Sequence, residues 1–94
     1  MRVKWLQAAR ANLDAEAQYI ARDSPSAAAR MVISITEAVE RLRDFPALGR
    51  PGRVMGTREL IVPGTPYMVP YRVRGNGLEI LRVFHAARKW PTQL

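Results

Sequence analysis

The order of apolar and polar residues predicts that the chain begins with one short strand followed by two helices. Residues 2–6 (RVKWL) alternate, which favours a strand. From residue 7 to 22, apolar residues return every three or four positions, as on one face of a helix. Ser24 followed by Pro25 is typical of a helix start, and the second apolar stripe continues to about Arg43. Because only two or three residues connect the two helices, they are expected to lie antiparallel.

The pattern changes after residues 44–53 (DFPALGRPGR), whose prolines and glycines end the helix and predict a basic loop. Beyond this loop the apolar period becomes two, which is typical of strands. Three strands are predicted there, over residues 57–62 (TRELIV), 67–73 (YMVPYRV) and 78–85 (LEILRVFH). Asn76 and Gly77 predict a tight hairpin turn before the last strand.

Pro70 lies inside the middle strand and predicts a bulge or local break there, because proline has no backbone N–H to donate. The fold class expected from this order is α+β, with elements β-α-α-β-β-β in a single domain over residues 1–94. The helical hairpin is expected to pack on one face of a small antiparallel sheet. The other face is then left uncovered and available to a partner.

Composition narrows the kinds of partner and site. The chain has 15 Lys and Arg against 8 Asp and Glu, a net charge of +7 and a pI near 11.1. Such a field attracts polyanions such as RNA, DNA or an acidic protein, although a merely soluble arginine-rich surface is the alternative. Arginine supplies 13 of the 15 cations, which favours bidentate contacts to phosphate or carboxylate.

Several classes of protein are disfavoured by the composition. With no cysteine there is neither a disulfide framework nor a thiolate metal site, and no carboxylate–histidine cluster suggests another metal. We therefore expect no metal and no cofactor. The start of the chain has no signal-peptide pattern, and no apolar stretch approaches the length of a membrane span. Cytoplasmic localisation without a membrane partner is expected.

The basic residues are predicted to gather on the uncovered face of the sheet. Side-chain alternation and the basic loop place six arginines around one concavity: Arg50, Arg53, Arg58, Arg72, Arg82 and Arg88. On the opposite face, Tyr67 and Tyr71 alternate with valine, which favours core packing over the alternative of stacking on bases. A bulge at Pro70 would reverse part of this assignment.

His85 is the single histidine and follows the last apolar run. It could serve as a general acid or base, or it could hold the end of the strand through a hydrogen bond to a backbone carbonyl, and we favour the structural role. Glu59, next to Arg58, could act as a general base, but an exposed ion pair on the strand is the preferred interpretation. No Ser-His-Asp arrangement and no phosphate-loop pattern is present.

The ordered motifs resemble those of the RelE/ParE superfamily of bacterial toxins from type II toxin–antitoxin modules. The resemblance covers nearly the whole chain. It is carried by the helical hairpin and by GRPGRVMGTRELIV, PYMVPYRV and ILRVFHAARKW, in that order and spacing. It implies a small basic toxin that arrests growth and is neutralised in a hetero-oligomer with an acidic antitoxin, whose partly disordered segment fills the exposed groove of the sheet.

The superfamily divides according to target. ParE-like members inhibit DNA gyrase, whereas RelE-like members are ribosome-dependent endonucleases that cleave mRNA without a metal. Met68 stands where an arginine is usual in the ribonucleases, and no tyrosine follows His85, so the ParE-like interpretation is preferred. If the chain is a ribonuclease, the resemblance implies acid–base chemistry at His85 and phosphate binding at Arg88. Arg72 is then expected on the same phosphate, and Arg50, Arg53 and Arg58 are expected to bind RNA. A non-toxic nucleic-acid-binding module is a third possibility.

Overall fold

The computed structural model describes residues 1–87 and Leu94. Eight elements follow one another along this part of the chain: β1 (Arg2–Trp5), α1 (Gln7–Ala21), α2 (Pro25–Arg41), β2 (Arg50–Pro51), β3 (Arg58–Ile61), β4 (Tyr67–Arg74), β5 (Gly77–Ile80) and β6 (Phe84–His85). The predicted α+β class and order are confirmed; the short strand β2 is added, and the last predicted strand is divided into β5 and β6.

The helical hairpin forms where the sequence predicts it. The hydroxyl oxygen of Ser24 accepts a hydrogen bond from the N–H of Ala27 at 3.1 Å, and Pro25 occupies the first helical position, where its missing N–H costs nothing. The predicted inward stripe of α2 is buried in full: Ala28, Met31, Ile35, Val39 and Leu42. Within the described part of the chain, neither helix combines the length and apolar character needed to cross a bilayer.

The sheet is mixed rather than purely antiparallel. Its strand order is β1-β5-β4-β3-β2, with β6 paired to β4 beside β5. Strand β1 runs parallel to β5, and the other pairs are antiparallel. A parallel pair requires a long crossover between the two strands, which here includes the helical hairpin. The expectation of an antiparallel sheet was therefore wrong for the first strand, whose partner is distant in sequence.

The expected break at Pro70 is displaced into the neighbouring strand. Strand β4 runs without interruption, and Pro70 keeps its register opposite Glu59 of β3. The carbonyl of Pro70 accepts a hydrogen bond from the N–H of Leu81 at 3.0 Å. Because the nitrogen and the carbonyl of one residue in an antiparallel strand point toward the same neighbour, the ring nitrogen of Pro70 also faces the segment that follows β5. On that side the chain leaves the sheet between β5 and β6. The single strand predicted for residues 78–85 is thus split, because Pro70 offers its partner no N–H there.

Asn12 of α1 takes over the hydrogen bonding where the chain leaves the sheet. Its side-chain oxygen accepts from the N–H of Val83 at 3.1 Å. Val83 is buried, so its N–H has little access to water and needs a partner within the protein. The polar side of α1 therefore fixes the segment that separates β5 from β6.

A buried phenol fixes the loop that leads into β2. The hydroxyl of Tyr71 donates to the carbonyl of Pro46 at 2.7 Å and accepts from the N–H of Gly49 at 2.8 Å. Burial raises the pKa of the Tyr71 phenol, which therefore remains a donor at neutral pH. A Cβ atom at Gly49 would lie 2.6 Å from the Tyr71 ring, so only glycine fits at this approach. The core-packing interpretation of Tyr67 and Tyr71 is confirmed, since both belong to the buried core.

We expect Asn12→Ala to lower the free energy of unfolding by about 1–3 kcal/mol, because the part-buried N–H of Val83 would lose its acceptor. Asn12→Asp keeps an acceptor oxygen at the same position and serves as the control. Urea unfolding of the two variants measures the difference. Equal stability of Asn12→Ala and Asn12→Asp would show that this hydrogen bond does not hold the segment.

Candidate partner-binding site

The sheet has an inner face against the helices and an outer face that neither of the two described helices covers. Strand register assigns these residues to the outer face: Arg2, Lys4, Arg50, Glu59, Ile61, Met68, Pro70, Arg72, Arg74 and Glu79. Five of them are cations and two are carboxylates. The outer face therefore carries a positive excess, as expected, but its two halves differ in structure.

The half formed by β2, β3 and the start of β4 is covered by the chain itself. Glu59 has only 3% of its surface exposed, and its carboxylate accepts from Arg50 at 3.2 Å and from both the backbone N–H and the guanidinium of Arg53 at 2.9 and 3.1 Å. Arg50 also reaches the sulfur of Met68 at 3.5 Å. This half is a built salt-bridge cluster, so the expectation of a wholly uncovered face was wrong here.

The environment of Glu59 settles its protonation state. Burial acts to raise the pKa of its carboxyl, but the hydrogen bonds from Arg53 and Arg50 outweigh burial and hold the pKa below its ordinary value. Glu59 is therefore ionised at neutral pH with its oxygens occupied. The ion-pair interpretation of Glu59 is confirmed, with two corrections: the carboxylate is buried, and its partners are Arg50 and Arg53 instead of Arg58.

The half formed by β1, β5 and the end of β4 is open. Arg72 donates to Glu79 at 2.6 Å, and Arg74 lies 3.7 Å from the same carboxylate. Hydrogen bonding from Arg72 lowers the pKa of Glu79, so this carboxylate is charged as well. Two guanidiniums share it, which leaves a net positive charge. Arg2 and Lys4 lie beside this group on the outer face of β1.

A groove of about 650 Å³ runs along the open half at the edge of the sheet. It is lined by Arg2, Val3, Lys4, Trp5, Arg10, Arg74, Asn76, Gly77 and Glu79. Among the described residues, no ion pair forms to Arg2, Lys4 or Arg10. Unpaired cations around a concave surface favour an anionic occupant.

The edge of β1 adds a backbone component to this groove. The N–H of Arg2 donates to Asn76 and the N–H of Leu6 donates to Ile80, both toward β5. Because backbone groups alternate along a strand, the N–H and C=O groups of Val3 and Trp5 point away from the sheet. An edge with free donors and acceptors can pair with another extended chain.

The predicted arginines do not form one group. Arg58 lies on the inner face, opposite Tyr71, and its guanidinium donates to the carbonyl of Gly49 at 2.7 Å. The placement of Arg58 in the outer concavity was wrong, because strand register sends it to the other side. Arg82 donates to the carbonyl of Leu81 at 2.8 Å in the segment outside the sheet ladder. Arg88 lies outside the described residues.

His85 is separated from the outer-face arginines. It pairs with Tyr67 across β6 and β4, and the two rings meet edge-on with centroids 5.6 Å apart. Its Nδ1 accepts from the N–H of Ala87 at 3.2 Å, where a bond to a backbone carbonyl had been expected. Arg72 lies five residues beyond Tyr67 on the opposite face, about 16 Å along the strand at about 3.3 Å per residue. His85 and Arg72 therefore cannot both contact one phosphate.

Metal binding has no candidate in the described part of the chain. Residues 1–87 and Leu94 contain no group of three or more His, Cys, Asp or Glu side chains placed to hold an ion. The outer face presents guanidinium, ammonium and backbone groups, which can bind anions.

Comparison with known proteins places this arrangement in a family. The family described as "ParE toxin of type II toxin-antitoxin system, parDE" matches residues 3–90. The chain belongs to this ParE toxin family. It is 46% identical over 93 residues to the protein Y4kP of Sinorhizobium fredii, covering 99% of this chain and 96% of that protein. It is 36% identical over 86 residues to Toxin RelE2 of Caulobacter vibrioides, covering 92% and 96% of the two chains.

Two solved structures share the fold of this ParE-family chain. A chain of the chromosomal ParDE toxin–antitoxin system from P. aeruginosa superposes with a TM-score of 0.81 at 35% identity, covering 90% of this chain and 95% of that one. A chain of the RelBE2 toxin–antitoxin complex from Mycobacterium tuberculosis superposes with a TM-score of 0.61 at 28% identity, covering 89% and 95%. The proposed resemblance to the RelE/ParE superfamily is confirmed.

Sequence reasoning missed the residues that make the open half of this ParE-family sheet distinctive. Arg2, Lys4 and Arg10 were not singled out, although RVKW alternates charged and apolar residues. That alternation could have assigned Arg2 and Lys4 to the polar side of the first strand. It could not have shown that β1 is an edge strand beside β5, since the pairing joins residues more than 70 positions apart.

The Glu59 cluster predicts a specific pH dependence of stability. Because the pKa of Glu59 is lowered in the folded protein, its contribution is complete above the ordinary value of 4.5 and is lost as the pH falls through the folded pKa. We expect Glu59→Gln to lose about 1–3 kcal/mol of unfolding free energy at pH 7. The difference from the wild type should shrink below about pH 4.5, as measured by urea unfolding across pH.

The exposed pair of Glu40 with Arg43 provides the matched control, because Glu40→Gln removes the same charge from a solvated pair. We expect no measurable loss of stability for that variant. A Glu59→Gln deficit that persists unchanged at low pH would contradict the ionic origin assigned to the cluster.

Proposed function

We propose that this protein is a growth-arresting toxin that inhibits DNA gyrase by binding to it, without cleaving RNA. Membership of the ParE family supports the proposal. The observation that carries the choice of target is the separation of His85 from Arg72, on opposite faces and about 16 Å apart along β4. An acid–base group and a phosphate-binding group must act on the same phosphodiester, and these two residues cannot.

Neutralisation by an acidic antitoxin is the second part of the proposal, and it places the toxin in a hetero-oligomer in the cytoplasm. The open half of the outer face offers a cationic groove along an edge of β1 that pairs with no other described strand. An extended segment could pair with the outward backbone groups of Val3 and Trp5 while its carboxylates contact Arg2, Lys4 and Arg10. The solved relatives described as a ParDE system and a RelBE2 toxin–antitoxin complex support such a partner.

Ribosome-dependent cleavage of mRNA is the second candidate function. The similarity to Toxin RelE2 of Caulobacter vibrioides and the cationic outer face favour it. It would need a catalytic set other than His85 with Arg72, and Arg88 lies outside the described residues. A non-toxic nucleic-acid-binding module is supported by charge alone and would be excluded by growth arrest on expression without antitoxin.

We expect the purified protein to inhibit DNA supercoiling by gyrase, and we expect His85→Ala to inhibit within about twofold of the wild type. The reason is that His85 contacts Tyr67 and Ala87 on the inner face and takes no part in the cationic surface. Supercoiling assays measure the inhibition, and transcript-end mapping after induction measures RNA cleavage in the same cells.

Transcript breaks at ribosomal A-sites together with loss of toxicity in a folded His85→Ala protein would overturn the gyrase proposal. Unaltered mRNA with supercoiling inhibition would exclude the ribonuclease. Thermal unfolding of His85→Ala provides the folding control for both outcomes.

The strand edge can be tested with a proline that removes one outward N–H. We expect Val3→Pro to weaken antitoxin binding at least about tenfold relative to Val3→Ala, because both variants shorten the side chain but only proline removes the donor. The antitoxin for this test is sought as a small acidic protein encoded next to the toxin, and calorimetry measures the affinity.

Lys4→Pro provides the contrasting control. The alternation of hydrogen bonds directs the N–H of Lys4 toward β5, so Lys4→Pro should make the free toxin less stable than Lys4→Ala does, whereas Val3→Pro should match Val3→Ala in stability. Equal antitoxin affinity of Val3→Pro and Val3→Ala would show that the partner does not pair with β1.

A further inference from the structure

The turn between β2 and β3 presents a methionine to solvent. Met55 has 97% of its surface exposed, whereas Met31 and Met68 are buried. We define the Met55 turn as residues 52–57. One exposed apolar side chain is ordinary on a protein surface, so exposure by itself gives Met55 no role. What distinguishes Met55 is the rigidity and charge of the turn that carries it.

The Met55 turn is held by its own hydrogen bonds. The carbonyl of Val54 accepts from the N–H of Thr57 at 3.1 Å and from the Thr57 hydroxyl at 2.6 Å. The N–H of Gly52 donates to the carbonyl of Thr57 at 2.8 Å. Gly56 has φ of 80°, the conformation required at the third position of a type II turn. The methionine is therefore presented on a preorganised backbone.

The base of the turn is fixed to the sheet and is positively charged. Glu59 accepts from the backbone N–H and guanidinium of Arg53, which ties the start of the turn to β3. Arg50 and Arg53 both pair with the Glu59 carboxylate, and their side chains remain 52% and 48% exposed. A preorganised apolar tip with guanidiniums at its base is complementary to an apolar cavity edged by carboxylates.

A shallow depression of about 290 Å³ adjoins the turn and extends the surface. It is lined by Pro51, Gly56, Thr57, Arg58, Arg72 and Val73. Val73, an exposed apolar residue on the inner face of β4, lines this depression, so the depression adds apolar contact next to the turn. A protein surface can insert a side chain into the depression while it receives Met55.

The Met55 turn and the groove beside β1 lie at opposite edges of the sheet. The strand order puts β2 and β1 at opposite edges, separated by four strand spacings or about 19 Å at about 4.8 Å each. An antitoxin segment paired with β1 therefore leaves the turn accessible. Two different proteins can then use the two edges.

We propose that the Met55 turn is the contact through which this toxin engages its target, a protein surface with an apolar cavity edged by carboxylates. Met55 enters the cavity, and the guanidiniums of Arg50 and Arg53 face its rim. Methionine suits this role because its unbranched thioether adapts to irregular cavities, and the rigid turn reduces the entropy lost on binding. The inference rests on the proposed function as a toxin with a protein target.

The test compares Met55→Glu with Met55→Leu. Glutamate places a charge where the apolar cavity and its carboxylates would lie, whereas leucine keeps an apolar side chain of similar volume. We expect Met55→Glu to weaken gyrase inhibition at least about tenfold and to abolish growth arrest, and Met55→Leu to stay within about twofold of the wild type. Antitoxin affinity should stay within about twofold for both variants, as calorimetry measures.

Ile33→Glu is the matched control, because it puts the same charge on an exposed apolar position of α2 away from the turn. We expect it to arrest growth like the wild type. Gly56→Val, which strains the positive φ of the turn, should weaken growth arrest without loss of antitoxin binding.

The outcomes separate the inference from the proposed function. Full growth arrest by Met55→Glu, or joint loss of arrest and antitoxin binding, would overturn the role of the Met55 turn. A wild-type protein that arrests growth without inhibiting gyrase would refute the gyrase proposal. In that case growth arrest by the Met55 variants still decides whether the turn contacts the target.

Discussion

Strand β4 provides the pairing on which the rest of the described structure depends. It alone among the described strands bonds to three others, β3, β5 and β6. Its inner face supplies Tyr67, Val69 and Tyr71 to the core under the helices. Pro70, on its outer face, withholds a donor from the side where β5 ends and β6 begins. One strand therefore decides where the core lies, how the sheet divides and which segments must find partners elsewhere.

Two segments outside the strand ladder, the one between β5 and β6 and the loop before β2, are fixed by side chains from distant parts of the chain. The N–H of Val83 bonds to Asn12 on α1, and the loop before β2 bonds to the buried hydroxyl of Tyr71. Both sets of hydrogen bonds satisfy backbone groups that have no partner in the strand ladder. The second arrangement also sets the position of β2 and hence of Arg50, so the salt-bridge cluster at Glu59 depends on the phenol of the neighbouring strand β4.

The outer face holds its cations in two arrangements, a built ion-pair cluster and an open groove. Arg50 and Arg53 neutralise a buried carboxylate and hold a turn in place, while Arg2, Lys4 and Arg10 border a groove with no ion pair of their own among the described residues. Net charge alone does not distinguish these uses. A buried acceptor such as Glu59 occupies its arginines, whereas the strand edge of β1 leaves both charge and backbone groups to a partner. This division supports separate surfaces for neutralisation and for target contact.

By itself the sequence determined the helices, the strand order along the chain and the family. Apolar periodicity, the Ser24–Pro25 start and the turn residues act over a few positions, so the chain records them locally. Tertiary structure decided the parallel partner of β1, the inward direction of Arg58, the separation of His85 from Arg72 and the burial of Glu59. Each of these depends on which strands become neighbours, and register across a sheet joins residues far apart in sequence. The charges were visible in the sequence, but only the pairing of strands placed them on particular faces.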